Sequence, residues 1–199
     1  MICGIDEAGR GSLVGPLVIA LVCVKEPKSL SFIKKDSKQL SKSKREELFK
    51  RIVENANFIF IEKIMPSEID KRNINTIERA LIERIIKIIR PKRVYIDLFE
   101  HSDSRIKAIG GKCGVDVVAE HKADKKHSIV AAASIVAKVI RDKEIEKIGQ
   151  RIGFFGSGYP SDERTIEFVK KHYEKIKPYL RQKWKTLDRI RSQRNLLEF

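Results

Sequence analysis

The sequence predicts an α/β fold, in which a mixed five-stranded sheet is flanked by helices and followed by a small helical C-terminal extension. Two observations favour this class. Five short segments have apolar patterns typical of strands, and after the first two strands the chain alternates between helical and strand patterns. With 199 residues the chain is long enough to bury a sizeable core as one domain with a small appendage.

The first strand is predicted over residues 2–5 and ends at the acidic pair Asp6 and Glu7. A glycine-containing turn, 9–15, leads to a nearly continuous apolar strand that we expect to lie antiparallel to the first. That second strand covers 16–24, and the other three are predicted over 56–64, 93–97 and 115–120.

The helices are predicted from caps and apolar stripes. A capping box from Ser43 to Glu46 indicates the start of the first helix, after a polar loop at 36–40. A second helix begins near Asn75 and stops before Pro91. Its predicted apolar face comprises Ile77, Leu81, Ile85 and Ile88.

The longest predicted helix covers 128–148 and is apolar around most of its first half, so we expect it to pack centrally against the sheet. A glycine-rich loop, 153–161, and an amphipathic helix, 164–176, follow. These patterns indicate a main domain over 1–160, a basic helical extension over 161–192 and a tail over 193–199.

Forty-two Lys and Arg residues against 27 Asp and Glu give a net charge of +15, which favours a polyanionic partner. A thermophile-like charged surface is the alternative, but such surfaces usually carry both signs in balance. Nucleic acid is favoured over a membrane surface because no long basic amphipathic helix is present. No apolar run approaches the roughly 20 residues that span a bilayer, and the first strand leaves no room for a signal peptide. We therefore expect a cytoplasmic protein. We also expect the protein to be a monomer.

Three cysteines, Cys3, Cys23 and Cys113, lack the paired spacing of zinc sites. Cys3 and Cys23 fall in apparent neighbouring strands and are interpreted most simply as small core residues. Whether they bond to each other is left open.

Acidic residues follow apolar segments at three points, as Asp6 with Glu7, Asp97 and Asp124. Ligands of open α/β sheets bind at strand ends, so these side chains would be able to converge there. Crowded carboxylates without internal cations predict a hard divalent metal such as Mg²⁺. Singly, each acid has an ordinary alternative: a loop cap for Asp97, a helix-dipole position for Asp124, a pair with Arg10 for Asp6. Their joint placement favours one site.

Asp6 and Glu7 are adjacent, and successive side chains of a regular strand point to opposite faces. Either the pleat breaks and the Glu7 side chain turns inward, or Glu7 contributes its main-chain carbonyl. Beyond them, Gly9 and Gly11 would let the backbone approach a ligand closely, and Arg10 offers donors suited to phosphate. A solvated hairpin turn is the alternative interpretation of this segment.

Six ordered segments resemble the motifs of type 2 ribonuclease H, ribonuclease HII. They are 6–11 (DEAGRG), 36–40 (DSKQL), 95–97 (YID), 121–124 (HKAD), 132–138 (AASIVAK) and 158–161 (GYPS). The resemblance extends from residue 2 to at least 165. It implies a ribonuclease H-like fold for the sheet and its helices.

The resemblance also implies roles for individual residues. The catalytic acids that hold Mg²⁺ or Mn²⁺ would be Asp6, Glu7, Asp97 and Asp124. Among the substrate-binding residues, Gly9, Arg10 and Gly11 would read the ribonucleotide 2′-hydroxyl and the flanking phosphate. Lys38 would contact a phosphate, and Tyr159 would pack under the sugar at the RNA–DNA junction.

The activity implied is an endonuclease that hydrolyses the RNA strand of RNA/DNA hybrids and cuts 5′ to ribonucleotides embedded in duplex DNA. Two-metal-ion catalysis would leave 5′-phosphate and 3′-hydroxyl ends, and the role would be removal of misincorporated ribonucleotides and RNA primers in replication and repair. Histidine-based cleavage is disfavoured, because no histidine lies in an apolar segment that would tune its pKa.

Two other functions compete. A metal nuclease that resolves DNA structures would share the acids, but DNA chemistry needs no hydroxyl sensor such as the Gly-Arg-Gly segment. A non-catalytic RNA-binding module would use the basic surface, but it would leave four clustered acids that repel phosphates without purpose.

The last seven residues place Gln193, Leu196 and Phe199 at positions i, i+3 and i+6. One helical turn would set the leucine and phenylalanine side by side. The spacing resembles the motif by which replication and repair enzymes attach to the ring-shaped sliding clamp, with one terminal aromatic residue rather than two, which implies modest affinity. A disordered tail is the alternative.

Overall fold

A computed structural model describes residues 1–33 and 40–195, with side chains described as far as Ser192. The chain divides into two compact units. The sheet unit comprises Met1–Ala8, Ile19–Glu62 and Ile74–Val139, and the C-terminal unit comprises Gly9–Val18, Lys63–Asn73 and Ile140–Phe199.

A five-stranded sheet forms the centre of the sheet unit, and the predicted mixed sheet flanked by helices is confirmed. In chain order its strands are β1 (Ile2–Ala8), β2 (Leu17–Val24), β3 (Phe58–Ile64), β4 (Arg93–Asp97) and β5 (Asp116–Glu120). Their spatial order is β3-β2-β1-β4-β5. Strands β1, β4 and β5 are parallel neighbours, with Ile5 opposite Ile96 and Asp97 opposite Glu120.

Strand β1 continues through the acidic pair, so the prediction that it ends there is wrong. Asp6 is buried, Glu7 half-buried and Ala8 buried, which is the alternation of an unbroken strand. The extended backbone stops only at Gly9, whose φ of +85° falls in the left-handed region.

Of the helices in the described ranges, six span nine or more residues and three span four residues. In chain order they are α1 (Lys42–Asn55), α2 (Pro66–Ile69), α3 (Ile74–Ile89), α4 (Ser104–Cys113), α5 (Ala123–Lys126), α6 (Ser128–Ile152), α7 (Glu163–Lys171), α8 (Tyr173–Ile176) and α9 (Lys185–Asn195), with 3₁₀ turns at Pro27–Leu30 and Lys177–Tyr179. Helix α4 was not predicted, and α6 extends beyond its predicted end at residue 148.

Two details of the predicted first and second helices are corrected. The N-cap of α1 is Ser41, whose Oγ accepts a hydrogen bond from the Lys44 amide at 3.3 Å, rather than Ser43. On α3, Ile88 is 73% exposed, because the buried face runs through Ile82 and Ile86 instead.

The predicted helix over 164–176 is two helices, α7 and α8. His172 separates them with φ −128° and ψ 39°, outside the helical region. Both segments bury apolar side chains, Val169 and Ile176 among them, in the apolar core of the C-terminal unit.

Helix α6 passes very close to the middle of β1 within the sheet unit. A Cβ atom placed on Gly4 would lie 2.4 Å from the carbonyl oxygen of Ile129, so only glycine permits this approach. The first half of α6 is largely buried, as predicted, and its Ser134 hydroxyl forms a hydrogen bond with Asp6 of β1.

Cys3 of β1 and Cys23 of β2 form a disulfide between neighbouring strands, and both residues are fully buried. The interpretation of these cysteines as simple core residues is therefore incomplete. The bond closes a loop with a sequence separation of 20 residues. A cross-link of this span stabilises the folded state by about 3 kcal/mol relative to the unfolded chain.

No helix in the described ranges, 1–33 and 40–195, combines the length and apolar character needed to cross a bilayer. The longest of them, α6, carries basic and acidic residues throughout its second half.

Candidate active site

Three aspartates meet at one edge of the sheet. Asp6 lies on β1, Asp97 is the last residue of β4, and Asp124 lies on α5, directly after β5. Because these three strands are parallel neighbours, their carboxyl ends share an edge. One carboxylate oxygen from each residue lies within 4.8 Å of the other two. The structure thus brings together three of the four predicted acids.

A tight turn after β5 delivers Asp124 to this edge. Lys122 adopts a left-handed conformation with φ of 58°, which is uncommon for a residue with a side chain. The next amide, that of Ala123, donates a hydrogen bond of 3.0 Å to Oδ1 of Asp97. The turn therefore ties the end of β4 to the residue that precedes Asp124.

The Asp6 carboxylate is held in a largely dehydrated environment, with only 5% of the residue exposed. The pKa of Asp6 is raised to about 7, chiefly by burial and also by the negative charge of Asp97. Hydrogen bonds from the Ser134 hydroxyl and the Glu7 amide, with the charge of Lys138, oppose this rise in pKa. Asp6 is therefore biased towards the protonated form in the ion-free protein.

Asp124 is fully buried, and neither carboxylate oxygen has a hydrogen-bond partner within the described part of the chain. Buried polar atoms without partners are rare, because each carries the full loss of its hydration. Two nearly dry carboxylates and a third within 4.8 Å repel one another unless a cation joins them. All-oxygen donors of this kind suit Mg²⁺ or Mn²⁺, so the residues present fit a hard divalent ion.

Glu7 stands outside this aspartate group. It is half-buried, and the unbroken pleat of β1 directs it to the opposite face from Asp6. Of the two possibilities predicted for Glu7, the regular strand favours a contribution from its main-chain carbonyl. Its role as a metal ligand stays a prediction.

The predicted substrate-binding glycines belong to the C-terminal unit, in a segment that we call the glycine loop, residues 9–15. The Gly9 carbonyl accepts hydrogen bonds from the amide and the hydroxyl of Ser12, at 3.2 and 2.9 Å. A Cβ on Gly9 would lie 2.7 Å from the Pro16 carbonyl oxygen, whereas one on Gly11 would meet nothing within 4 Å. Gly9 is therefore required by the fold, and Gly11 is exposed.

Tyr159 lies in the same unit as the glycine loop. The carbonyl of its neighbour Gly158 accepts hydrogen bonds from the amides of Leu13 and Val14, at 2.8 and 3.0 Å. The guanidinium of Arg141 lies 4.4 Å from the centroid of the Tyr159 ring, a cation–π contact that fixes the ring. The structure thus holds two predicted recognition elements, the glycine loop and Tyr159, in one hydrogen-bonded framework.

Some predicted site residues lie outside the described residues. Lys38 is one of them, as are Leu196 and Phe199. Gln193 falls within α9, but its side chain is not among those described.

Sequence reasoning assigned no role to four polar residues that support these sites. Ser134, Lys138 and Arg141 are spaced i, i+4 and i+7 on α6, so they share a helical face, and their polarity within an apolar helix was the available signal. Arg181 is fully buried and contacts the glycine loop, but it is one of many basic residues in its segment. No local pattern distinguishes it.

Comparison with known proteins assigns a family. The model of the ribonuclease HII family matches residues 3–187. The ribonuclease HII of Thermoplasma volcanium is 43% identical over 197 residues, which cover 95% of this chain and 92% of that protein.

Two solved structures are similar over nearly their full lengths. The crystal structure of ribonuclease H2 from Pyrococcus horikoshii superposes with a TM-score of 0.88 at 39% identity, covering 98% of each chain. Ribonuclease HII from Archaeoglobus fulgidus, solved in complex with PCNA, gives a TM-score of 0.88 at 40% identity, covering 96% of this chain and 97% of that one. These findings confirm the family and fold implied by the six motifs. The chain belongs to the ribonuclease HII family and is a ribonuclease H.

Proposed function

We propose that this protein is an endonuclease that hydrolyses the RNA strand of RNA/DNA hybrids and cuts 5′ to single ribonucleotides embedded in duplex DNA. The observation that carries the proposal is the group formed by Asp6, Asp97 and Asp124, in which the buried Asp124 oxygens have no hydrogen-bond partner among the described residues. The net charge of +15 supports a nucleic acid as substrate.

The residues that would hold divalent ions are the three aspartates, with Glu7 contributing through its side chain or its main-chain carbonyl. When bound, Mg²⁺ or Mn²⁺ supplies the Lewis acidity for two-metal hydrolysis of a phosphodiester, which leaves 5′-phosphate and 3′-hydroxyl ends. The protein keeps the Asp6 and Asp124 carboxylates nearly dry. The Ser134 hydroxyl orients Asp6, and the Ala123 amide orients Asp97.

Recognition of the ribonucleotide is assigned to the glycine loop. A 2′-hydroxyl is both donor and acceptor, and it is what distinguishes RNA from DNA at one nucleotide. Exposed main chain at Gly11 can approach this oxygen without a side chain in the way, because the position of a Cβ there is open. We assign phosphate contacts to Arg10 and Lys38, and stacking beneath the sugar to Tyr159.

We propose further that the C-terminal tail attaches the enzyme to a sliding clamp through Gln193, Leu196 and Phe199. The similar protein from Archaeoglobus fulgidus was solved bound to PCNA, and this chain covers 97% of it. Such a tether would place a monomeric enzyme in the cytoplasm on newly made duplexes, where misincorporated ribonucleotides and RNA primers must be removed during replication and repair.

A cleavage assay with three substrates tests the catalytic proposal. The duplexes are a full RNA/DNA hybrid, a DNA duplex with one ribonucleotide and a matched all-DNA duplex, each with Mg²⁺, with Mn²⁺ and with EDTA. We expect metal-dependent cutting of the first two, with a 5′-phosphate on the fragment that begins at the ribonucleotide. Cutting of the all-DNA duplex would instead indicate a DNA nuclease, and binding without cutting would indicate an RNA-binding module.

Calorimetric titration tests the tether separately. The intact protein is expected to release or absorb heat when the clamp is added, and a Phe199→Ala variant to give little. Equal heats from both proteins, or none from either, would refute the tail assignment and leave the catalytic proposal unaffected.

A further inference from the structure

Arg181 is a buried cation whose partners are main-chain carbonyls of the glycine loop. The residue has no exposed surface. Its Nη1 donates to the Arg10 carbonyl oxygen at 2.6 Å and its Nη2 to that of Gly9 at 2.5 Å, while Nε and Nη2 each lie 3.3 Å from the Gly15 oxygen. A guanidinium removed from water must be compensated, and these three carbonyls compensate it.

No carboxylate in the described part of the chain pairs with Arg181 within 4.0 Å. The charge is retained at neutral pH, because burial lowers the pKa of Arg181 only to about 10. The shape of the glycine loop is therefore coupled to one charged side chain, and the planar fork of the guanidinium fixes the directions of several carbonyls together.

The segment around Arg181 is itself anchored. The Arg181 amide donates to the Leu13 carbonyl at 3.0 Å. The next two amides, of Gln182 and Lys183, donate to the two carboxylate oxygens of Asp70 at 2.9 and 3.2 Å. The guanidinium also lies 5.0 Å from the ring centroid of Trp184. Arg181 is therefore held in place by these main-chain hydrogen bonds and by the Trp184 ring, and it supports the glycine loop rigidly.

The geometry of the peptide bond between Arg10 and Gly11 sets the direction in which the Gly11 N–H points. In a trans peptide the carbonyl and the following N–H point in opposite directions, and the described chain has no cis peptide bond. Because the Arg10 carbonyl points at Arg181, the Gly11 N–H points away from it. That N–H has no acceptor within the described residues, and Gly11 is exposed.

We propose that Arg181 is a positioning residue for ribonucleotide recognition: by binding the carbonyls of Gly9 and Arg10, it presents the Gly11 N–H to the 2′-hydroxyl oxygen of the substrate. This inference rests on the proposed function of the glycine loop. It adds a residue from the basic C-terminal extension that touches no substrate and acts through the main chain.

The test compares Arg181→Lys and Arg181→Met with the unchanged protein on two substrates. A single embedded ribonucleotide offers one hydroxyl in one register, whereas a full hybrid offers one at every nucleotide and tolerates a misplaced donor. We therefore expect kcat/KM on the single ribonucleotide to fall by about 10²-fold in Arg181→Met, as for a donor misplaced by about 1 Å. The kcat/KM on the full hybrid should fall much less. Arg181→Lys keeps the charge but not the fork, so it should recover stability without recovering the ratio of the two activities.

Val169→Ala is the matched control, because it opens a cavity in the apolar core of the same unit, which includes Leu13 and Val14 of the loop, but leaves the Arg181 guanidinium and the carbonyls that it binds in place. All proteins are assayed below their measured melting temperatures, and if Arg181→Met does not fold, Arg181→Lys decides the test. The deciding quantity is the ratio of kcat/KM on the single ribonucleotide to kcat/KM on the full hybrid. If Arg181→Lys keeps the ratio of the unchanged protein, or if Val169→Ala changes the ratio as much as the Arg181 variants do, this inference is wrong but the proposed function is unaffected. If the unchanged protein cuts hybrids but leaves the single ribonucleotide intact, the proposed recognition fails and this inference fails with it.

Discussion

Asp97 accepts a hydrogen bond from the main-chain amide of Ala123, and this bond links the acid at the end of β4 to the residue that precedes Asp124. Two of the three aspartates are therefore positioned by one turn, which the left-handed Lys122 makes possible. In the proposed metal site, Asp97 would therefore serve both as a ligand and as part of the scaffold.

Removal of an acid should abolish catalysis without abolishing nucleic-acid binding. We predict that Asp6→Asn and Asp97→Asn each lower turnover by several orders of magnitude, because a metal ligand is lost while the basic surface remains. Substrate affinity, measured by fluorescence anisotropy, should change little.

The control for these variants is Asp116→Asn. Asp116 is an exposed aspartate on β5 that pairs with Arg93, away from the aspartate group. It should retain full activity. Full activity in Asp6→Asn or Asp97→Asn would instead remove that residue from the site.

Asp6 should make the ion-free protein less stable as the pH rises. Its pKa is 3.8 in an unperturbed chain and about 7 in the folded protein, so between these values the folded state binds a proton that the unfolded state lacks. The stability that this proton provides is complete below pH 4 and is lost as the pH rises through 7.

In EDTA, Asp6→Asn should therefore melt at a higher temperature than the unchanged protein, with a difference that is small at pH 4 and largest above pH 7. Calorimetric melting across this pH range is the measurement. A melting-temperature difference that does not vary with pH would contradict the assigned pKa.

Gly9 and Gly11 should respond differently to alanine. At Gly9 a side chain clashes with the Pro16 carbonyl and requires a left-handed backbone, so Gly9→Ala should destabilise the protein by more than about 1 kcal/mol. Gly11→Ala has open space and should keep the melting temperature. It should nevertheless weaken cleavage at a single ribonucleotide, because the methyl group occupies the space left for the sugar. Unchanged cleavage in Gly11→Ala would refute the assignment of Gly11 to the substrate site.

Tyr159→Ala should also weaken cleavage at the single ribonucleotide. Stacking on an aromatic ring is typically worth about 1–3 kcal/mol, or roughly 5- to 150-fold in kcat/KM. Tyr159→Phe keeps the ring over Arg141 and serves as the matched variant, with activity near that of the unchanged protein. Equal losses in the two variants would show that the hydroxyl, rather than the ring, makes the contact.

Much of the sheet was predictable because its strands are short apolar runs whose pattern is local. The three aspartates were predictable for the same reason, since each follows such a run. Helix α4 was missed because Gly110 and Gly111 weaken a helical pattern that otherwise rests on Ile106 and Ile109. The break at His172 lacks the proline or glycine that usually marks one.

The supporting residues were harder to predict, since their roles arise from long-range packing. Arg181 lies far along the chain from Gly9 and Arg10, and only the fold brings its guanidinium to their carbonyls. The continuation of β1 through Asp6 likewise depends on the Ser134 hydroxyl and the Glu7 amide, which make a buried carboxylate tolerable in a strand.

A Mn²⁺ titration followed by electron paramagnetic resonance tests most directly whether the aspartate group holds the catalytic ions. We predict that the unchanged protein and Asp116→Asn bind Mn²⁺ alike, whereas Asp124→Asn binds it at least about tenfold more weakly, since it removes a fully buried charged ligand. The rate at which Asp124→Asn cleaves the single-ribonucleotide duplex should fall as well. Unchanged Mn²⁺ affinity and cleavage in Asp124→Asn would contradict the assignment of the metal site.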